Sequence, residues 1–173
     1  MIGQSVETGQ ATIGTLLKVA VGLEDAARRF YEGLAERFSH CPEVAEFWRV
    51  MAADEICHKD RLTEWAASLD HTRLSQSVDA QMLLMAEKLL GTSVDDLLDQ
   101  TSNLDDAYET AHDLESSETN VIFRFFIREF AGDQHVTAAL RHDLDEHVER
   151  LMTEFPAAYA IRAARIGVLA ARP

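Results

Sequence analysis

The sequence predicts an all-α protein built as a four-helix bundle. Its composition favours helices, because Ala, Leu, Glu, Arg and Asp dominate while only 3 prolines and 8 glycines occur in 173 residues. Apolar residues recur at helical spacing through four long segments. Short breaks join these segments in pairs, and a longer connection separates the two pairs. This order predicts two antiparallel helical hairpins joined by a long crossover that contains a short helix.

The first hairpin is predicted from helices over residues 12–38 and 42–69. The stretch SHCPE separates them, and Pro42 suits the first position of the second helix, where its missing N–H costs no hydrogen bond. The apolar stripe of the second helix consists of Val44, Trp48, Met51, Leu62 and Trp65. Glu55 and His58 fall inside this stripe, so we expect both side chains to face the core.

The crossover is predicted to span residues 70–103. Its short helix, VDAQMLLMAEKLLG, is expected to end at Gly91 with a left-handed cap. The polar stretch that follows contains Ser93, which is a suitable N-cap for one further helical turn.

The second hairpin is predicted from helices over residues 104–130 and 134–154. Asn103 and Asp133 precede these helices and are suitable N-caps. The four-helix bundle is therefore expected to occupy residues 1–155. The remaining residues, 156–173, are expected to form a C-terminal tail or a short helix.

The two hairpins repeat one another in sequence. Leu23–Glu24 aligns with Leu114–Glu115, and His58 in the first hairpin aligns with His147 in the second. Counted outward from the turns, the polar residues of the four apolar stripes lie within about one helical turn of the same height. The repeat therefore predicts that six side chains converge in the middle of the core: Glu24, Glu55, His58, Glu115, Glu118 and His147.

Such a cluster needs a positive counter-charge, because each unpaired buried charge costs several kcal/mol. No Lys or Arg lies on the inward stripes beside these carboxylates, and Arg28, Arg61 and Arg150 fall on the flanks. A divalent metal ion is the simplest remedy. Several carboxylates with a minority of imidazoles suit iron or manganese, and zinc is also compatible.

These residues resemble the ligand set of the ferritin-like di-iron carboxylate proteins. The matching positions are Glu24 in helix one, Glu55-x-x-His58 in helix two, Glu115 in helix three and His147 in helix four. Glu118, which follows Glu115 in the motif ESSE, is similar to the additional Glu of the rubrerythrin branch. The resemblance covers residues 12–155 and implies a ferritin-like four-helix bundle that holds two iron ions.

The resemblance also implies roles for individual residues. Glu118 and His58 would exchange as iron ligands when the iron changes oxidation state. Tyr31, seven residues after Glu24, occupies an aromatic position whose hydroxyl hydrogen-bonds a ligand carboxylate in that family.

The sequence departs from the family pattern in its fourth helix. Leu144 stands three residues before His147, where the family has a Glu that bridges the two metals. Asp143 and Asp145 adjoin that position, but each is rotated by about 100° from the stripe. Ile122 likewise replaces a second aromatic residue. The centre is therefore expected to be asymmetric, with one metal held more loosely or with redox chemistry lost.

Three functions remain open from the sequence. The first is a non-haem di-iron oxidoreductase without a rubredoxin domain, which reduces peroxide or dioxygen or oxidises ferrous iron, and which takes electrons from a separate donor. The second is a metal-binding protein without turnover, because of Leu144. The third is a metal-free helical scaffold whose acidic stripe faces solvent.

Composition also restricts the partners and the compartment. A net charge of −14 argues against binding nucleic acid. No run of eighteen apolar residues predicts a membrane span, and the N-terminus does not resemble a secretory signal. Cys41 and Cys57 are expected to be free thiols in a reducing cytoplasm. The apolar run FRFFIREF predicts, beyond core residues, the surface of a homodimer.

Overall fold

The computed structural model describes residues 10–156 except 117 and 133, without the side chains of 118–120, 134–136 and 143–148. In that part of the chain it is a helical bundle, which confirms the predicted fold class. The helices are α1 Ile13–Arg37, α2 Pro42–Ser68, α3 His71–Leu74, α4 Ala80–Leu90, α5 Val94–Gln100, α6 Leu104–Ser116, α7 Glu118–Glu129 and α8 Gln134–Thr153. None of the helices in this part of the chain has both the length and the apolar character that crossing a bilayer requires.

Helices α1 and α2 form the first hairpin. The hydroxyl of Thr12 caps α1 by accepting a hydrogen bond from the backbone N–H of Thr15 at 3.2 Å. A turn over residues 38–41 reverses the chain, and Pro42 opens α2. The two helices then pack along their whole length. This packing brings the middle of α1 beside the middle of α2.

The crossover contains three helices, where the sequence predicted one helix and a further turn. Ser93 caps α5 as expected, since its hydroxyl accepts the N–H of Asp96 at 3.3 Å. The left-handed cap expected at Gly91 is wrong, because this residue has φ −74° and ψ −6° and lies in the right-handed region. Its N–H closes the last turn of α4 by donating to the carbonyl of Glu87 at 3.0 Å.

Two glycines of α1 allow the crossover helices to lie close to it. A Cβ atom at Gly22 would stand 3.0 Å from a methyl carbon of Leu90, and one at Gly33 would overlap a methyl group of Leu98. These glycines lower the intrinsic helix propensity of α1. They also create the space into which the leucines of α4 and α5 fit.

The second hairpin consists of α6 and α7, which lie on either side of residue 117 within the range predicted as one helix over residues 104–130, and of α8. Asn103 caps α6, because its side-chain oxygen accepts the N–H of Asp106 at 3.0 Å. Helix α8 packs against both α6 and α7. The predicted cap Asp133 and residues 157–173 of the predicted tail lie outside the described residues.

The buried apolar side chains form two clusters rather than one continuous core. The first cluster contains Leu16, Leu23, Leu62 and Trp65 among its members, and the second contains Phe30, Tyr31, Trp48, Met51 and Tyr108. Along α1 the first cluster ends at Leu23 and the second begins at Phe30. The layer between the clusters, which we call the polar belt, therefore crosses the middle of the bundle.

Candidate metal centre

Three acidic or imidazole side chains meet in the polar belt. Glu24 comes from α1, while Glu55 and His58 lie one turn apart on α2. All three are buried, with 4%, 3% and 5% of their surface exposed. One donor atom from each lies within 4.8 Å of the donor atoms of the other two. A shared ion with ligand bonds of about 2.0–2.2 Å would bring its donors to this kind of separation.

The imidazole of His58 faces both carboxylates. Its Nδ1 atom lies 3.6 Å from Oε2 of Glu24 and 3.4 Å from Oε2 of Glu55. Both separations exceed the common N–H···O range of about 2.7–3.2 Å. The three side chains thus surround a common point, as the ligands of one cation do.

An ion pair between α1 and α2 keeps these donor side chains at the same height along the bundle. The ammonium group of Lys59 donates a hydrogen bond to Asp25 at 3.0 Å. This hydrogen bond lowers the pKa of the Asp25 carboxyl, against the smaller opposing effect of its partial burial. Asp25 follows Glu24 and Lys59 follows His58, so the pair fixes the register of the two helices at the edge of the centre.

Tyr31 connects the second hairpin to the polar belt. Its side chain is fully buried, and its hydroxyl donates a short hydrogen bond to a carboxylate oxygen of Glu115 on α6. Burial raises the pKa of Tyr31 well above its usual range, and the negative charges of Glu115, Glu55 and Glu24 raise it further. The Tyr31 phenol therefore stays protonated at neutral pH and bonds Glu115 as a donor.

The other predicted donors are located only by their backbone. Glu118 opens α7 and His147 lies within α8, but their side chains lie outside the described residues. The same holds for Leu144 and for its neighbours Asp143 and Asp145. The structure thus brings together Glu24, Glu55 and His58, and it places Glu115 beside them through Tyr31.

The sequence did not predict an ion pair between Asp54 and Arg150. Asp54 precedes Glu55 on α2, and Arg150 on α8 was expected only to flank the centre. Their side chains form a close salt bridge while 27% and 14% exposed, and Arg150 also lies 3.5 Å from Glu154. The pair ties α8 to α2 next to the buried donors. Arg150 thus forms its ion pair with Asp54, the residue that precedes Glu55 on α2.

The charges of the cluster fit a metal cation. Protonation of His58 would balance only one of the two carboxylates that it faces, and Glu115 adds a further negative charge nearby. Buried carboxylates in excess of cations are strongly destabilising unless an ion or a proton compensates them. Oxygen donors with one imidazole suit iron or manganese, and they are also compatible with zinc.

Comparison with known proteins gives one family. The family model described as Rubrerythrin matches residues 15–143, and this match confirms the resemblance found in the sequence. No curated protein and no solved structure matches the chain. The matched range contains Glu24, Glu55, His58 and Glu115, and it ends just before Leu144.

We expect Glu55→Gln to separate the metal-bound from the metal-free protein. A divalent ion at about one hundred times its Kd stabilises the folded state by about 2.7 kcal/mol, which raises the Tm of a chain of this size by roughly 5–10 °C. Glu55→Gln removes one donor, so this increase should largely disappear. Without metal the variant should be as stable as the natural sequence or more stable, because one buried negative charge is gone. Thermal melts with manganese, with zinc and with a chelator measure both effects.

Glu46→Gln is the matched control on the same helix, since the Glu46 side chain is 68% exposed and pairs with the exposed Arg49. It should melt like the natural sequence in every condition. A metal-induced increase in Tm that survives in Glu55→Gln would contradict the assignment of this side chain as a ligand.

We expect Tyr31→Phe to reduce the loss of stability at alkaline pH. The pKa of Tyr31 is raised in the folded protein, whereas in the unfolded chain it lies near 10. The stabilisation is therefore complete below about pH 10 and declines by up to about 1.4 kcal/mol per pH unit as the pH rises toward the folded-state pKa. Urea unfolding of both proteins between neutral and alkaline pH gives the difference.

The difference in unfolding free energy between the natural protein and Tyr31→Phe should be constant below pH 10 and then shrink or reverse. Tyr108→Phe should give a smaller change, because burial alone raises the pKa of Tyr108. Parallel stability curves for the natural protein and Tyr31→Phe across the alkaline range would show that the Tyr31 phenol is not held in its protonated form.

Proposed function

Because the chain belongs to the rubrerythrin family, we propose that it binds iron in the polar belt and reduces hydrogen peroxide or dioxygen. The convergence of Glu24, Glu55 and His58 in the dry interior is the observation that carries this proposal. The donor chemistry favours iron, with manganese or zinc as the other ions that it can hold.

We propose two metal positions that differ in strength. Glu24, Glu55 and His58 form the first position, where all three donors are supplied by one hairpin. Glu115, Glu118 and His147 would complete the second position, as the family pattern implies. Leu144 removes a carboxylate that would otherwise join the two positions. The second ion is therefore bound more weakly.

The residues around the metal have separate tasks in this proposal. Iron held by Glu24, Glu55 and His58 would supply the electrons that reduce the oxidant. Tyr31 holds Glu115 in one orientation and keeps a proton on its own oxygen. The apolar clusters on both sides of the belt keep bulk water away from the carboxylates, which strengthens their interaction with a cation.

Continued turnover would require a separate electron donor. Among the described residues, Glu24, Glu55 and His58 form the one group of potential metal ligands that converge in this way. We further propose a homodimer that acts in the cytoplasm on its oxidant, and that has no role with nucleic acid. The half-buried Cys41 and the exposed Cys57 are free thiols, which suits a reducing compartment.

Leu144 favours a second candidate function, which is metal binding without turnover. A centre that lacks the bridging carboxylate could hold iron for storage or transfer, or hold a structural ion. The two candidates share the ligands of the first metal position. They differ in whether the loaded protein reacts with an oxidant.

We expect ferrous protein to be oxidised by peroxide within seconds. Protein loaded anaerobically with ferrous iron and mixed with hydrogen peroxide should develop ferric absorption as the peroxide is consumed. Glu55→Gln should bind less iron and consume less peroxide, while Glu46→Gln should behave as the natural sequence. Stopped-flow absorption with a peroxide assay measures both. Loaded protein that leaves peroxide intact would exclude the oxidoreductase and leave the metal-binding function.

We expect Leu144→Glu to strengthen the second metal position, because it restores the missing carboxylate at the family position. Elemental analysis should find more iron per chain, or the peroxide reaction should become faster. Leu144→Gln is the matched control, since it has nearly the same shape without the charge. If Leu144→Glu changes neither quantity, the missing carboxylate does not explain the asymmetry of the centre.

A further inference from the structure

Two oxidisable side chains lie stacked beside the candidate metal centre. The rings of Tyr31 and Trp48 are nearly parallel, with an interplanar angle of 6° and centroids 5.8 Å apart. Both side chains have 0% of their surface exposed. Stacked aromatic rings in a dry interior have direct electronic contact, and no solvent reorganises around a charge that moves between them.

Tyr31 is placed to lose an electron and a proton together. Its hydroxyl already donates to Glu115, so the carboxylate can take the proton as soon as the oxidised phenol releases it. The net charge at Tyr31 then stays unchanged, which matters in an interior where an uncompensated charge is costly. The same hydrogen bond can return the proton when the phenol is reduced.

Trp48 differs from Tyr31 in having no proton acceptor. Its indole Nε1 atom is buried and has no hydrogen-bond partner among the described residues. Buried tryptophans usually satisfy this N–H. If Trp48 loses an electron, its proton has no described group to go to, so the oxidised indole remains a cation. The negative charge of Glu115, which binds the tyrosine stacked on Trp48, favours a cation there.

Further aromatic rings connect Trp48 toward the surface. The ring of Phe155 lies 5.6 Å from Trp48 and 5.3 Å from Tyr108 between centroids. Tyr108 in turn stacks near His112, at 6.4 Å and 23°, and the His112 side chain is 27% exposed. The series begins at the polar belt and reaches solvent, so a reductant at the surface can restore Trp48.

We propose that Trp48, with Tyr31 as the relay, supplies the second electron when hydrogen peroxide reacts at a centre that holds a single ferrous ion. This inference rests on the proposed function. Trp48 and Tyr31 act here as electron donors to the centre, and Glu115 acts as the proton acceptor for Tyr31.

The step balances in electrons and protons. Hydrogen peroxide takes up two electrons and two solvent protons, its O–O bond breaks, and two waters form. One electron comes from the ferrous ion, which becomes ferric. The other comes from Tyr31, whose proton passes to Glu115. Trp48 then reduces Tyr31, the proton returns from Glu115, and Trp48 remains as a cation radical until a reductant restores it.

The test uses the full chain loaded anaerobically with one ferrous ion and mixed with one equivalent of peroxide. Samples frozen within milliseconds should show a tryptophan radical by electron paramagnetic resonance, together with ferric iron. Peptide mass spectrometry should find oxidised Trp48. Trp48→Phe should lose the tryptophan radical and show a tyrosyl radical on Tyr31 in its place. Tyr31→Phe should form ferric iron but neither radical, and a spin trap should then detect hydroxyl radical, because peroxide receives only one electron.

Trp65→Phe is the matched control. Trp65 is the other tryptophan of the chain, and it packs on Phe126 and Phe130 in the first apolar cluster. This variant should keep the radical and release no more hydroxyl radical than the natural sequence. Circular dichroism and iron content check that each variant folds and loads, and Tyr31→Phe carries the test if Trp48→Phe does not fold.

The possible failures can be told apart. If the natural protein neither oxidises its iron nor consumes peroxide, the proposed function fails. If it does both while Trp48 stays unmodified and no tryptophan radical forms, the relay is wrong and the proposed function stands. Equal loss of the radical in Trp48→Phe and Trp65→Phe would also overturn the relay.

Discussion

The burial of two carboxylates, Glu24 and Glu55, in the middle of the bundle is the constraint on which the rest of the structure depends. Along α2 the second apolar cluster ends at Ala52, and the first resumes at Leu62. Apolar side chains in this gap would gain roughly 1.5–3 kcal/mol each from burial. The chain instead places Glu55 and His58 there, fully surrounded by protein. A sequence selected for stability alone would not keep this arrangement, whereas a bound cation makes it favourable.

The neighbouring charges separate into inner and outer groups. Each inner carboxylate has an acidic neighbour in sequence: Asp25 follows Glu24, and Asp54 precedes Glu55. The outer residues form ion pairs with basic side chains: Asp25 pairs with Lys59, and Asp54 pairs with Arg150. The inner members, Glu24 and Glu55, face His58 instead. The outer pairs also join α1 to α2 and α8 to α2 at the height of the centre, so they hold the ligand-bearing helices in register.

Helical periodicity predicted the long helices, and the position of Glu55 and His58 within an apolar stripe predicted their burial. The sequence repeat between the two hairpins predicted that Glu24 and Glu115 lie at equivalent positions of the centre. The three-helix crossover was less predictable, because α4 and α5 depend on tertiary contacts such as Leu90 against Gly22. The pairing of Asp54 with Arg150 joins segments far apart in sequence, and it depends on the rotation of α8, which periodicity does not define closely.

In our proposal the metal centre is asymmetric, and this asymmetry explains the role of the stacked pair Tyr31 and Trp48. The first hairpin contributes three donors to one point. The second contributes Glu115, one of whose oxygens accepts the hydrogen bond of the Tyr31 hydroxyl. In the same proposal Leu144, which replaces the bridging carboxylate, weakens the second metal position. A centre that binds only one iron ion tightly can supply only one electron, whereas the reduction of hydrogen peroxide needs two. In our proposal Tyr31, which contacts Glu115, and Trp48 supply the electron that a second iron would otherwise supply.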